Sequence, residues 1–293
     1  MAGGYIENAG AIIEYFHEKI TIFKGIVMPV LSIHNFSIRA WGVTLLNQLD
    51  LQLESGELLA IIGPNGAGKT SLINAIVNAG HRNQTTSGEL MVCGRSYKAW
   101  LPSERAKQLA LLPQLSTLNF PFTVEEVTQL GRIPHQTGKQ VDNEIIEEAL
   151  AALDILHLKQ RLYTQLSGGE KQRVQLARVM TQIWRAEDAG SHGSSNNRLL
   201  LLDEPTSSLD LGHQQQLMKV IRRFVDQGVA IVMVAHDVNL VANHADKLLA
   251  LCCGEVFAQG PPESVITSEL MKKLYQVDVS VIPHPISQKP MVV

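Results

Sequence analysis

The sequence predicts an α/β protein built on a parallel sheet, and three observations carry that expectation. Short continuous apolar runs, "LLLLD" at 199–203, "VAIVMVA" at 229–235 and "KLLALCC" at 247–253, alternate with stretches of helical periodicity. Strands buried on both faces and joined by helical crossovers require this pattern. A glycine-rich segment, "GPNGAGKT" at 63–70, stands directly between the apolar run "LLAIIG" and the start of a helix. The 293 residues are 45% hydrophobic and 18% charged, with 25 Lys and Arg against 28 Asp and Glu, the balance of a globular chain long enough to bury a core.

Taken in order, residues 1–27 hold one amphipathic candidate, "AIIEYFHEKI", with no link to the motifs further along the chain. They read as an N-terminal extension, Met28 offers an alternative start, and the pattern of a secretory signal is missing. From Val30 the runs "VLSIHNFSI" and "GVTLLNQLDLQLESGE" read as strands leading into "LLAIIG". A helix is expected from Lys69 to about Ala79. "SGELMVCG" reads as a strand entered and left through glycine turns, and "LALLP" at 109–113 as a buried strand stopped by Pro113.

In "DNEIIEEALAALDIL", Ile146, Ala149, Leu150 and Leu153 share one helical face, with Asp142 expected as the cap. Residues from about 115 to 165 thus form a small helical insertion. "RAEDAGSHGSSNNR" at 185–198 is expected to be a flexible surface loop, and 281–293 a tail to a domain spanning 28–280. Cys93, Cys252 and Cys253 have no metal-ligand spacing and read as small buried hydrophobes of a reduced compartment. No apolar run reaches the length that crosses a bilayer, so a membrane role has to come through a partner. The formal charge of -3 gives no electrostatic reason to expect nucleic acid.

The chemistry concentrates in a few short stretches. Gly63, Gly68, Lys69 and Thr70 have the spacing of a phosphate-binding loop in the strand-to-helix context such a loop needs. Pro64, Asn65, Gly66, Ala67 and Ser71 complete the cradle. Its glycines let backbone N–H groups close on phosphate oxygens, and the helix dipole adds attraction. Lys69 would reach the terminal phosphates and Thr70 would ligate magnesium. The strand "RLLLLD" delivers Asp203 to the carboxyl end of the sheet, where it would hold magnesium through water, and Glu204 is the next residue, a candidate general base for an attacking water. His236, after "VAIVMVA", reaches the same edge and is a candidate for contact with the terminal phosphate and that water. Gln114, after "LALLP", offers an amide oxygen to magnesium. "LSGGEKQRVQLARV" at 166–179 adds a second helix start with a serine and two glycines, its buried stripe expected at Leu176, Met180 and Ile183.

With these residues in order, the chain from about Val30 to Val279 resembles the ATP-binding subunits of ABC transporters. "GPNGAGKT" is similar to the Walker A loop, Gln114 to the Q-loop, and "LSGGE" to the ABC signature. "LLLLDEP" is similar to Walker B, "SSLD" to the D-loop, and His236 to the switch histidine. The resemblance implies a P-loop NTPase fold: a RecA-like core with an N-terminal antiparallel β subdomain and an inserted α-helical subdomain. It implies a head-to-tail homodimer with two ATP molecules and Mg2+ at the interface, where Ser167, Gly168, Gly169, Glu170 and Asp210 complete the partner's site. It also implies two transmembrane permease subunits, a periplasmic substrate-binding protein acting through them, and a peripheral location on the cytoplasmic face of a bacterial inner membrane.

Within the family, "LNFPFTVEEVTQLGRIPH" and "LDLGHQQQLM" look most like subunits importing haem, ferric siderophores or cobalamin, haemin importers above all. One position departs from the pattern. Where relatives place an aromatic residue to stack on adenine the register gives Ala40, so Trp41 beside it is the expected stacker. A soluble ABC ATPase acting on nucleic acid or the ribosome is the alternative from another class. Neither a second cassette nor a long inserted coiled coil is present to favour it. An exporter subunit is disfavoured by "FPFTVEEV". Haem held by the chain itself, at His135 or His213, is not expected, since a cytosolic motor need not touch cargo.

Overall fold

The computed structural model describes residues 28–77, 84–96, 99–114, 118–184 and 197–293. The expectations for residues 1–27, and for the loop from 185 as far as 196, lie outside the described residues. In chain order the elements begin with β1 (Leu31–Ala40), β2 (Val43–Leu53), β3 (Leu58–Ile62), α1 (Lys69–Val77), β4 (Gln84–Val92) and β5 (Arg95–Ser96). Next come α2 (Pro102–Gln108), β6 (Leu109–Leu112), α3 (Val124–Gln129), α4 (Lys139–Ala152) and α5 (Gly168–Ile183). After them stand β7 (Arg198–Asp203), α6 (Leu211–Asp226), β8 (Val229–Val234), α7 (Val238–His244), β9 (Lys247–Cys252) and β10 (Glu255–Gly260). The chain closes with α8 (Pro262–Val265), α9 (Ser268–Tyr275), β11 (Val281–Pro283) and β12 (Pro290–Val292).

The central sheet runs β10-β9-β3-β8-β7-β6, and all its pairs except β9 with β10 are parallel. Its inner strands are apolar along their middle residues because both faces are covered, with charged residues only at the ends, Arg198 and Asp203 of β7 and Lys247 of β9. Alternate residues divide between two cores. Leu58, Ala60 and Ile62 of β3 join Val229, Ile231 and Met233 of β8 under the helices α3 to α6. Leu59, Ile61, Ala230, Val232 and Val234 face the opposite side, against α1 and a four-stranded antiparallel sheet of order β2-β1-β4-β5. The period of two in the strands therefore fixes which layer each side chain supports.

Parallel register has a functional consequence. Leu112 pairs with Leu202, Asp203 with Val234, and Ile61 with Val234. The carboxyl ends of β6, β7, β8 and β3 thus come level at one edge of the sheet, the place where such sheets bind ligands.

Three local expectations are corrected. Gly88 does not open β4 but lies within it, at φ +86°, where a Cβ would stand 2.2 Å from the Asn35 carbonyl oxygen. The β1–β4 ladder shifts register there, so the glycine serves a bulge. Asp142 does not cap α4: Gly138 holds that position, and the Asp142 carboxylate instead accepts from Arg132 Nε at 2.8 Å and Thr137 Oγ1 at 2.7 Å. Burial of Arg132 demands a counter-charge, and that demand outweighs the capping preference. Cys253 is exposed, while Cys93 and Cys252 are half-buried. Cys253 and Gly254, at φ +51° and +79°, form the tight turn between β9 and β10, where a hairpin needs positive φ more than burial.

Candidate nucleotide site

Leaving β3 at Ile62, the chain turns through Gly63 to Gly68 into α1. Gly63 has φ +143°, and a Cβ there would lie 2.0 Å from the Leu251 carbonyl oxygen; at Gly68, φ +101°, it would lie 2.6 Å from the Leu45 carbonyl oxygen. Only glycine fits these two corners. Gly66, also at positive φ, faces open space. Lys69 folds back over the loop, its Nζ donating to the carbonyls of Gly63 at 2.8 Å and Pro64 at 2.9 Å. Burial pushes its pKa down, and the charges of Glu204 and Asp203 oppose that shift.

Around this loop opens a cavity of about 510 Å³, lined by Leu45, Asn65, Gly66, Ala67, Gly68, Lys69, Thr70, Ser71, Gln114, Glu204 and His236. The register of the sheet accounts for the last three, each of which lies just beyond a strand that ends level with β3. Thr70 Oγ1 lies 3.5 Å from Asp203 Oδ1. Asp203 is only 2% exposed, and burial raises its pKa above the ordinary carboxylate value. A threonine hydroxyl and a desolvated carboxylate side by side form a hard oxygen set that suits magnesium.

Glu204 is strained and tightly held. Its φ of +53° is unusual for a residue with a Cβ. Its N–H donates to the Val234 carbonyl at 3.2 Å, and its own carbonyl accepts from Ser207 Oγ at 3.1 Å. The carboxylate is gripped from both sides: Gln114 Nε2 donates to Oε2 at 2.9 Å and His236 Nε2 to Oε1 at 2.6 Å. A carboxylate only accepts, so the His236 proton sits on Nε2, and the Gln114 carbonyl oxygen points away from Glu204.

The second glycine pair lies elsewhere. Ser167 caps α5 in a reciprocal box: its hydroxyl accepts from the Glu170 N–H at 3.3 Å, and Glu170 Oε2 accepts from the Ser167 N–H at 2.7 Å. Neither residue lines the cavity of its own chain's loop. A Cβ at Gly168 would meet nothing, whereas one at Gly169 would stand 3.1 Å from the Ser208 carbonyl oxygen. Gln172 Nε2 donates to the Pro205 carbonyl at 3.4 Å, which fastens this helix start to the loop after Glu204. Within that loop Asp210 caps α6, accepting from the His213 N–H at 2.9 Å and from its Nδ1 at 2.8 Å.

Trp41 sits at the β1–β2 turn, 78% exposed, and is not among the cavity-lining residues. His135 gives its Nε2 to the Gln182 carbonyl and His213 its Nδ1 to Asp210, so each spends a ring nitrogen on structure. One residue of the site carries no sequence signal: Tyr275, at the end of α9, whose hydroxyl accepts the Gly63 N–H at 3.1 Å. Its place in a helix far along the chain leaves no local motif to read.

Comparison with known proteins agrees with this geometry. Residues 46–207, more than half of the chain, match the family model described as ABC transporter. The chain belongs to the ABC transporter family. A hemin import ATP-binding protein, HmuV, of Pseudomonas entomophila is 42% identical over 264 residues, 90% of this chain and 99% of that relative. One of the same name from Gloeobacter violaceus is 43% identical over 258 residues, 87% of this chain and 90% of the relative. Among solved structures, an inward-facing ABC transporter of metal-chelate type superposes with a TM-score of 0.71 at 26% identity, covering 90% of this chain and 96% of that one. A nucleotide-free ATP-binding cassette, at 20% identity and a TM-score of 0.66, shares the fold.

This ABC subunit is thus an ATP-binding ATPase of P-loop fold, from a family of dimeric ATPases that work with a transmembrane permease. No helix among its described residues is long and apolar enough to cross a membrane.

Proposed function

We propose that two copies of this chain hydrolyse ATP to drive haemin import through a transmembrane permease, at the cytoplasmic face of a bacterial inner membrane. The grip of Gln114 and His236 on Glu204, at the mouth of the phosphate-loop cavity, is the observation that carries the catalytic part of this reading. The backbone from Gly63 to Thr70, with Ser71 behind it, cradles the phosphates, and Lys69 turns from the loop carbonyls to the terminal phosphates. Thr70 and the Gln114 amide oxygen, with Asp203 acting through water, would hold magnesium, which would supply positive charge to offset that of the phosphates. Glu204 takes the proton of the attacking water as the water oxygen bonds to the terminal phosphorus and ADP leaves. His236 orients Glu204 and reaches the phosphate. Trp41, exposed at its turn, stacks on adenine.

Ser167, Gly168, Gly169, Glu170 and Asp210 complete the site of the opposite copy, so each site requires two chains. Support comes from the open space at Gly168 and from the absence of these residues from their own chain's cavity. The permease would dock in the groove lined by Gln129, Leu130, Ile133 and His135, where Ile133 is 74% exposed and the buried Arg132 braces the wall. Arg132 Nη1 donates to the Thr181 carbonyl in α5, and this contact links the groove to the helix that Ser167 begins.

Haemin as cargo is supported by the relatives' names; a ferric siderophore or cobalamin is the second reading, since the metal-chelate class of the transporter at 26% identity takes in all three. Proteoliposomes holding the permease and this chain, given ATP and cognate binding proteins loaded with each cargo in turn, separate them. Haemin-loaded protein should stimulate ATP hydrolysis and uptake; stimulation by a siderophore or cobalamin complex alone would replace haemin with that cargo.

A further inference from the structure

The first residue of the phosphate loop, Gly63, is held from three directions. Gly63 is buried, and its carbonyl accepts from Lys69 Nζ at 2.8 Å. The Leu251 carbonyl of β9 packs where a side chain would be, 2.0 Å from an imagined Cβ. Its N–H, unable to find water, is satisfied by the Tyr275 hydroxyl at 3.1 Å. That hydroxyl comes from outside the stretch that matches the family model, which ends at residue 207.

The helix that carries it is firmly placed. Met271 and Leu274 of α9 are buried in the helical-side core, Thr267 caps its start by accepting the Leu270 N–H at 3.1 Å, and Gln276 ends it in the left-handed region. The ring of Tyr275 packs half-buried against the same core. Burial also pushes the phenol pKa up, which keeps the hydroxyl neutral.

We propose that Tyr275 is a positioning residue of the nucleotide site, its hydroxyl fixing the Gly63 peptide so that the loop behind it meets the phosphates in one conformation. Gly63 thereby becomes a hub whose N–H reads the C-terminal helix and whose carbonyl parks Lys69. Removal of the hydroxyl leaves a buried N–H without a partner, and the loop relaxes to find one. Since the loop grips ATP in the ground state and the transition state alike, the loss falls on KM and leaves kcat nearly untouched.

The inference rests on the reading of residues 63–70 as the ATP cradle, and the experiment separates the two. In the full-length chain, Tyr275→Phe and Lys69→Ala are compared with the parent for ATP KM and kcat, for binding of a fluorescent ATP analogue, and for nucleotide-free melting temperature. Tyr275→Phe should weaken analogue binding and raise KM about fivefold, the loss of one neutral hydrogen bond, with kcat close to that of the parent and a melting temperature lower by no more than a few degrees. A Tyr275→Phe protein with unchanged KM and binding, or with a lower melting temperature as its only change, would overturn the proposal while Lys69→Ala still abolished binding. Unchanged binding in Lys69→Ala would overturn the cradle reading and the proposal together.

Discussion

His236 Nε2 lies 2.6 Å from Glu204 Oε1, and the two residues are brought together from the ends of adjacent parallel strands. The pairing leaves one carboxylate oxygen to Gln114, and Glu204 stands in a left-handed backbone conformation beside the phosphate loop. Glu204→Gln keeps the volume and the hydrogen bonds available to a neutral amide but removes the proton acceptor. ATP should bind as before, and steady-state hydrolysis should fall by about 100-fold or more. Unreduced turnover would move the general base to another residue.

Gly63→Ala tests the close packing of the loop. The new methyl would meet the Leu251 carbonyl oxygen at 2.0 Å and sit on a backbone at φ +143°. Thermal or urea unfolding should show a loss of about 3 kcal/mol, as overpacking and strain at one point predict, together with weakened ATP binding.

Acid should weaken the fold through His244. Burial lowers its pKa below the ordinary 6.5, with Lys289 and Arg222 adding repulsion. The unfolded chain therefore binds the proton more readily, so stability rises with pH across the window between the lowered value and 6.5, and falls on acidification through it. His244→Gln should flatten melting temperature against pH below 6.5 relative to the parent. Parallel curves for the two proteins would contradict this.

Cys93 and Cys253 should differ in reactivity. Cys93 is half-buried, its Sγ donates to the Asn197 carbonyl at 3.2 Å, and burial pushes its pKa up to about 12. Cys253 is exposed in its turn. Iodoacetamide applied to the native protein should therefore modify Cys253 well before Cys93, as peptide mass mapping over time would register.

Much of this site is legible in the sequence because strand order and register turn local motifs into one place. "LLAIIG", "LALLP", "LLLLD" and "VAIVMVA" each end at or just before a residue of chemical interest, and parallel pairing necessarily gathers those ends. What the sequence hides depends on partners distant along the chain. Asp142 looks like a cap until Arg132 is seen to need its charge, and Gly88 looks like a turn until β1 is seen to bulge against it. Tyr275 has no motif at all; its role exists only because α9 brings a hydroxyl beside the Gly63 N–H. The exposure of Cys253 is hidden for a related reason, since hydrophobicity says nothing of a two-residue hairpin's demand for positive φ.

Whether an ATP site is complete only between two copies can be decided with mixed dimers carrying Lys69→Ala and Ser167→Arg. With the two changes on opposite chains, one site keeps both an intact Lys69 and an intact Ser167 from the facing copy; with both on one chain, neither site does. Shared sites require ATP hydrolysis in the first dimer and its loss in the second. Hydrolysis in the second dimer and none in the first would show instead that each site is built within a single chain.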